Sequence, residues 1–307
     1  MKAEIINMLI NIGCQLDSNA FPVIKNGGIV VPGTSTIFPL DPGKEYKHAT
    51  RKERRSTATS SWGRTSPWQP STQGSFITWS PGGPRPTGET TSVFVSGICK
   101  QYGTEMSLVK VAYPGTQVWA SDAGIWLIAE SGLLPGVFPK FNFVVGIDFV
   151  SGHVRGWCFQ GNHVIGYEWI GPRHTNFPDG SICAYDPRDR TWVLGDPLVV
   201  LLDLYTLWAF RHLHLRAIGR WPGAQSIPHV YERILELNDD EHCGCENSQL
   251  PYKKCCKTLD SRQPLLREAI RFTLEMTGGI RKPPRKIIDF IRERSDPPSI
   301  GALTALT

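Results

Sequence analysis

The chain has 307 residues, 40% of them hydrophobic, and a formal net charge of +5. That length and apolar share supply one large or two modest packed cores, which excludes a chain disordered throughout. The charge is too mild to demand a nucleic-acid partner, and a chain of this size does not need its eight cysteines as disulfide staples.

Residues 1–100 read as an N-terminal extension. Met1 to Leu16 predicts a short amphipathic helix with Ile5, Ile6, Leu9 and Ile10 on one side, and its apolar core is too short, with Glu4 near its start, for a signal peptide. From about Lys25 the composition turns to Gly, Pro, Ser and Thr. Lys44 to Arg55 is a basic run, and 56–88 carries Trp62, Trp68 and Trp79 among Ser, Thr, Pro and Gly. Such composition buries too little apolar surface to offset ordering entropy, so a solvated linker is expected; the other reading is a docking arm of aromatic and basic residues.

From Thr91 the texture changes to short runs rich in Val, Ile, Phe and Trp, at 92–98, 106–113, 124–130, 141–149, 154–159 and 164–170. These predict an antiparallel meander and an α+β fold. Pro178-Asp179-Gly180 then reads as a tight turn: proline presets φ, aspartate bonds its own backbone, and glycine takes the left-handed position. Ser181-Ile182-Cys183 leaves that turn extended, which predicts a sulfur at the rim of a groove, with His174 and Asn176 folded back beside it.

The clearest helix follows. Asp196 is its expected N-cap and Pro197 its first residue; Leu198, Leu201, Leu202, Tyr205, Trp208 and Ala209 recur at helical spacing, and Gly219 stops it. His212 and His214 are expected to decorate its far end as cations. The apolar run 197–210 falls short of the roughly 20 residues that spanning a membrane requires and contains Asp203, so no transmembrane helix and a cytoplasmic location are expected. Pro228 to Leu237 predicts another short helix, with Val230, Ile234 and Leu237 on one side.

Four cysteines then crowd together. Cys243-Gly244-Cys245 and Cys255-Cys256 frame a polar loop, so two pairs of thiolates can converge on one ion, and four sulfurs complete a tetrahedral structural zinc site with no open position. Beyond it, Pro264 to Met276 predicts a helix with Leu265, Leu266, Ala269, Ile270 and Phe272 available for packing, ended by Gly278-Gly279. Lys282 to Lys286 and a helix from Ile287 to Arg294 are expected to form a surface appendage. The organisation predicted is an extension at 1–100, a domain at 101–225, a zinc-binding module at 226–260 and a helical appendage at 261–307.

Two family resemblances attach to these motifs. His174-Thr175-Asn176, Gly180-Ser181-Ile182-Cys183 and Trp192 resemble the active-site signature of ubiquitin-conjugating (E2) enzymes, with Thr175 where the family has proline and a histidine-to-cysteine gap one residue shorter. More loosely, 198–221 is similar to shorter E2-like proteins of bacterial operons for ubiquitin-like conjugation and antiphage defence. The resemblance implies an E2-type meander packed on helices, and Cys183 as carrier of an activated C-terminus in thioester linkage. It implies Asn176 as oxyanion stabiliser, His174 as a structural brace and Trp192 packed beneath the site. The implied partners are an E1-like activating enzyme, a ubiquitin-like modifier and a protein acceptor.

The segment from Cys243 to Cys256 resembles the SEC-C motif, which implies structural zinc on Cys243, Cys245, Cys255 and Cys256, with His242 open as a substitute ligand. Two other classes remain: a non-catalytic E2-like zinc-binding scaffold, and a cysteine hydrolase using Cys183 and His174.

Overall fold

The computed structural model describes residues 23–25, 28–30, 37–38 and 88–303, apart from short stretches at 133–139, 163–165, 186–190, 223–224, 246–249 and 277–280. The expected helix at 1–16, the basic run and the tryptophan-bearing linker lie outside the described residues. Strands β1 (Val23–Lys25), β2 (Gly28–Val30) and β3 (Ile37–Phe38) form a small antiparallel sheet.

The main sheet is a five-stranded antiparallel meander in sequential order: β4 (Gln117–Ser121), β5 (Gly124–Glu130), β6 (Phe141–Asp148), β7 (Val154–Asn162) and β8 (Gly166–Trp169). The α+β class and the four later runs of the predicted meander are therefore observed. The two earlier runs are not strands. Residues 92–98 and 106–113 fall largely within one long helix, α1 (Gly88–Ala112). Ile98, Tyr102 and Val109 are buried along it and Tyr113 just past its end, spaced four, seven and four apart, so the helical period overrides the β-prone composition.

Both faces of the sheet are covered. On one, Ile125, Leu127, Phe143, Val145, Ile147 and Cys158 pack against α1 and a second helix, α2 (Leu198–Ile218). On the other, Trp126, Ile128, Val144, Trp157 and Phe159 pack under Ile287, Phe290 and Ile291 of a C-terminal helix and under Leu303. That helix, α6 (Arg285–Glu293), is thus part of the core and not the surface appendage expected. Burial on two faces explains why β5 and β6 read as nearly continuous apolar runs without polar alternation.

Between α2 and α6 lie α3 (Val230–Glu236), the single-turn α4 (Lys257–Asp260) and α5 (Leu265–Glu275). Only part of the packing expected of α5 is seen: Phe272 is buried, while Leu265, Leu266 and Ile270 face solvent. Among the described residues α2 alone is long and apolar enough to cross a membrane, but 67% of its apolar window is buried, as befits the central helix of a packed core.

The start of α2 is held differently from the expectation. Asp196 turns back to accept the Val193 N–H, and the orphan N–H of Leu198 is instead accepted by Glu105 of α1 at 3.0 Å. At the other end Gly219 takes the left-handed conformation at φ 84°, as read from the sequence.

Candidate functional site

The turn at 176–180 forms as its residues dictate. Asn176 and Gly180 close it through Gly180 N–H to Asn176 O at 2.9 Å, and Gly180 adopts φ +64°. Buried Asp179 accepts the Ser181 N–H at 3.0 Å and the Ser181 hydroxyl at 2.8 Å, which is the self-bonding expected of a turn aspartate. Thr175 and Ile182 pair across the turn, and the Ile182 N–H reaches Gly156 O of β7 at 2.7 Å. The next residue, Cys183, emerges exposed at the edge of this pairing.

Gly156 permits the approach. A Cβ there would lie 2.4 Å from the Tyr205 ring of α2, so only glycine lets helix and strand meet beneath the cysteine. Near the sulfur, burial raises the Tyr185 and Tyr205 phenols well above their usual range, so they stand as neutral groups at the site. Trp192 is buried below, its ring edge-on to Tyr185, and its indole N–H donates to Pro197 O.

The sequence places His174 and Asn176 beside the sulfur; the structure assigns their side chains bonds within the scaffold. The Asn176 amide donates to Ser181 Oγ at 3.1 Å and to Ile182 O at 3.2 Å, bracing the turn that presents Cys183. His174 takes the left-handed conformation at φ 53°, and its carbonyl accepts the Cys183 N–H at 3.0 Å and the Trp208 indole at 2.8 Å. Its ring lies 4.0 Å from the Trp221 ring, with Nε2 2.9 Å from Gln225 Oε1. Burial, helped by the Arg173 charge, lowers its pKa to about 3, so the imidazole is neutral at physiological pH and a poor proton acceptor.

His212 and His214 are not terminal cations. Both are buried. His212 Nε2 donates to Arg173 O at 2.8 Å and His214 Nδ1 to Arg220 O at 3.0 Å, while burial depresses both pKa values, that of His212 to about 4. As neutral rings, His212 holds the loop at Arg173 and His214 holds the chain just beyond α2 at Arg220.

The second cluster forms as the cysteine spacing predicts. A short knuckle, in which Cys243 N–H bonds Leu250 O and Tyr252 N–H bonds Glu241 O, brings residues 243–245 against 251–256. Gly244 (φ +70°) meets the backbone of Ile227 so closely that a Cβ would lie 2.8 Å from its nitrogen. The sulfurs of Cys243, Cys245, Cys255 and Cys256 all lie within 4.8 Å of one another.

Two separations, 3.5 Å for Cys245–Cys255 and 3.7 Å for Cys255–Cys256, fall near the roughly 3.8 Å edge of a tetrahedron with metal–sulfur bonds of about 2.3 Å, and far from the ~2 Å of a disulfide. The four thiols can hold a metal ion. His242 is outside the set, its backbone engaged by Pro251 and Gln225. Burial raises the pKa of Cys243 and Cys256, so metal uptake must displace protons from them.

Sequence reasoning missed Arg173, Trp221, Gln225 and Glu241, which surround His174. Arg173 forms a buried ion pair with Glu241 at 2.9 Å, and Glu241 also accepts the backbone N–H groups of Trp221 and Asn238. No periodicity marks these residues; a buried glutamate two positions before Cys243 is visible only once the loops are folded together. Comparison of the chain with family models, curated proteins and solved structures gives no match, so what the site can do rests on its own geometry.

Proposed function

We propose that Cys183 is the carrier cysteine of an E2-like acyltransferase, and that the four-cysteine cluster is a structural zinc site. The observation that carries the first part is the presentation of Cys183: an exposed thiol one residue beyond a turn braced at Asn176, Asp179, Ser181 and Ile182, at the rim of an antiparallel meander backed by a long apolar helix. The reaction asks little else of the site. The Cys183 thiolate attacks the thioester carbonyl of a modifier bound to its activating enzyme, expelling that enzyme's thiolate; an acceptor amine then attacks the new thioester, loses a proton and expels the Cys183 thiolate.

In this reading Asn176 works by fixing the loop, since both amide hydrogens are engaged there; a hydrogen bond to the oxyanion would need one of them to be released. His174 is a brace. Its ring is committed to Trp221 and Gln225 and its basicity is suppressed, which weighs against a Cys183–His174 hydrolase. Zinc would be held by Cys243, Cys245, Cys255 and Cys256, supplying cross-links to a segment whose helices are short.

The same commitment of His174 and Asn176 to the scaffold favours a second reading, a non-catalytic E2-like zinc-binding adaptor. Intact-mass analysis separates the two. The protein is incubated with an E1-like activating enzyme, its ubiquitin-like modifier and ATP, beside Cys183→Ala and Cys183→Ser. The carrier reading predicts a thiol-labile adduct on the wild type, none on Cys183→Ala and a thiol-resistant ester on Cys183→Ser. No adduct, together with a Cys183 that resists alkylation in the folded protein, leaves the adaptor.

A further inference from the structure

The cysteine loop and the four-cysteine knuckle are joined by side chains that neither the carrier chemistry nor the metal site requires. Gln225 sits between them. Its Oε1 accepts from His174 Nε2 at 2.9 Å and from Arg173 Nη2 at 3.1 Å, while its Nε2 donates to the carbonyl of His242, next to Cys243, at 2.7 Å. The orientation of the amide is fixed by this pairing, because an arginine can only donate and a carbonyl can only accept.

Glu241 is a second strut. Its carboxylate is buried, pairs with Arg173 at 2.9 Å and accepts the Asn238 N–H at 2.6 Å, and its own carbonyl bonds Tyr252 N–H across the knuckle at 2.8 Å. On the loop side, the carbonyl of His174 holds the Cys183 N–H at 3.0 Å. One chain of contacts therefore runs from Cys243 through His242, Gln225 and His174 to Cys183. Such buried polar links are worth most when every member is satisfied, and each depends on its neighbour staying in place.

We infer that Gln225 and Glu241 are positioning residues that tie the placement of Cys183 to metal occupancy of the four-cysteine centre. This rests on the metal-site and carrier readings proposed above. With the ion gone, the two cysteine pairs lose their common anchor, the knuckle backbone is released, and His242 O and Glu241 no longer fix Gln225 and Arg173. The loop then keeps the supports that do not pass through the knuckle, namely Ile182 N–H on Gly156 O and the Trp157 indole on Asp179 O from β7, Trp208 and His212 of α2, and the backbone of Lys282 against Gly180. It loses those that fix Arg173 and the His174 ring from the knuckle side. Cys183 loosens without the sheet melting.

The test compares four samples: zinc-loaded and chelator-stripped wild type, and zinc-loaded Gln225→Leu and Glu241→Gln. Hydrogen exchange is read on peptides spanning 171–184, 238–256 and 141–148, Cys183 alkylation by iodoacetamide is read by peptide mapping, and zinc content by native mass. Stripping should speed exchange of 171–184 about ten-fold and change the Cys183 alkylation rate by at least three-fold, with 141–148 unchanged. Zinc-loaded Gln225→Leu should reproduce the loop effect while keeping one zinc, which a purely local metal site would not do.

Unchanged exchange of 171–184 in stripped protein whose 238–256 peptide has lost protection would overturn the inference. If stripping or Gln225→Leu also exposes 141–148, zinc-loaded Glu241→Gln decides: loop exchange at the wild-type rate overturns the coupling. A wild type that binds no zinc fails the metal reading instead, and the native mass reports that separately.

Discussion

The molecule uses the same side chain in two opposite ways. Cys183 stands exposed at the end of a braced turn, whereas Cys243, Cys245, Cys255 and Cys256 are gathered within 4.8 Å of one another in a knuckle of backbone hydrogen bonds. Both places are shaped by a glycine in the left-handed region pressed against another segment's backbone, Gly180 on Lys282 and Gly244 on Ile227. The difference lies in what surrounds the sulfur. A group of four thiols satisfies an ion completely and leaves nothing to react, while one accessible thiol on a fixed frame is available to a partner.

The contrast can be broken from the structural side first. Cys256→Ser should abolish tight zinc binding and destabilise the protein by roughly 5 kcal/mol or more, read as a lowered denaturant midpoint together with zinc loss by native mass. A smaller change follows from acid. His174 and His212 ionise near pH 3 and 4 in the fold against 6.5 when unfolded, so their contribution is complete above pH 6.5 and is lost progressively as the pH falls toward 4. Urea midpoints taken between pH 7.5 and 4 should fall by the equivalent of a few kcal/mol.

Gly180→Ala comes next. It places a Cβ at φ +64° and 2.7 Å from the Lys282 backbone, and should cost about 2–3 kcal/mol in thermal unfolding while lowering any Cys183 adduct yield. Cys183→Ala should have the smallest effect on stability, within about 0.5 kcal/mol, because the residue is exposed. A large loss from that variant would make Cys183 a structural thiol and erase the contrast.

Much of this was legible because it is local. The Pro178-Asp179-Gly180 turn, the Gly219 stop and the cysteine pairs are short patterns whose geometry follows from residue type alone, and each is found where the residues put it. The strands β5 to β8 were readable because their apolar runs are bounded by turn residues. What failed is non-local. Residues 92–113 are rich in β-branched and aromatic residues, and only the four- and seven-residue spacing of Ile98, Tyr102, Val109 and Tyr113 marked a helix. Asp196 lost the N-cap of α2 to Glu105, a partner 93 residues away.

The fate of His212, His214 and α6 was hidden for the same reason. A histidine near a helix end looks solvated until another loop closes over it, and the basic flank around Lys282 to Lys286 masks the three apolar residues Ile287, Phe290 and Ile291 that cover the sheet. The Arg173–Glu241 pair and the Gln225 bridge could not be seen at all, since each joins loops 52 to 68 positions apart with no repeating pattern.

The most direct test of the carrier reading is acyl transfer onto Cys183 without an activating enzyme. The protein is mixed with a ubiquitin-like protein bearing a C-terminal small-thiol thioester, peptide mapping locates the adduct, and its decay is followed with and without added lysine. A carrier Cys183 should give a thioester confined to that residue which decays markedly faster when the amine is present, with the modifier recovered on lysine. An adduct that never forms at Cys183, or one lost to water at the same rate with or without lysine, would contradict it.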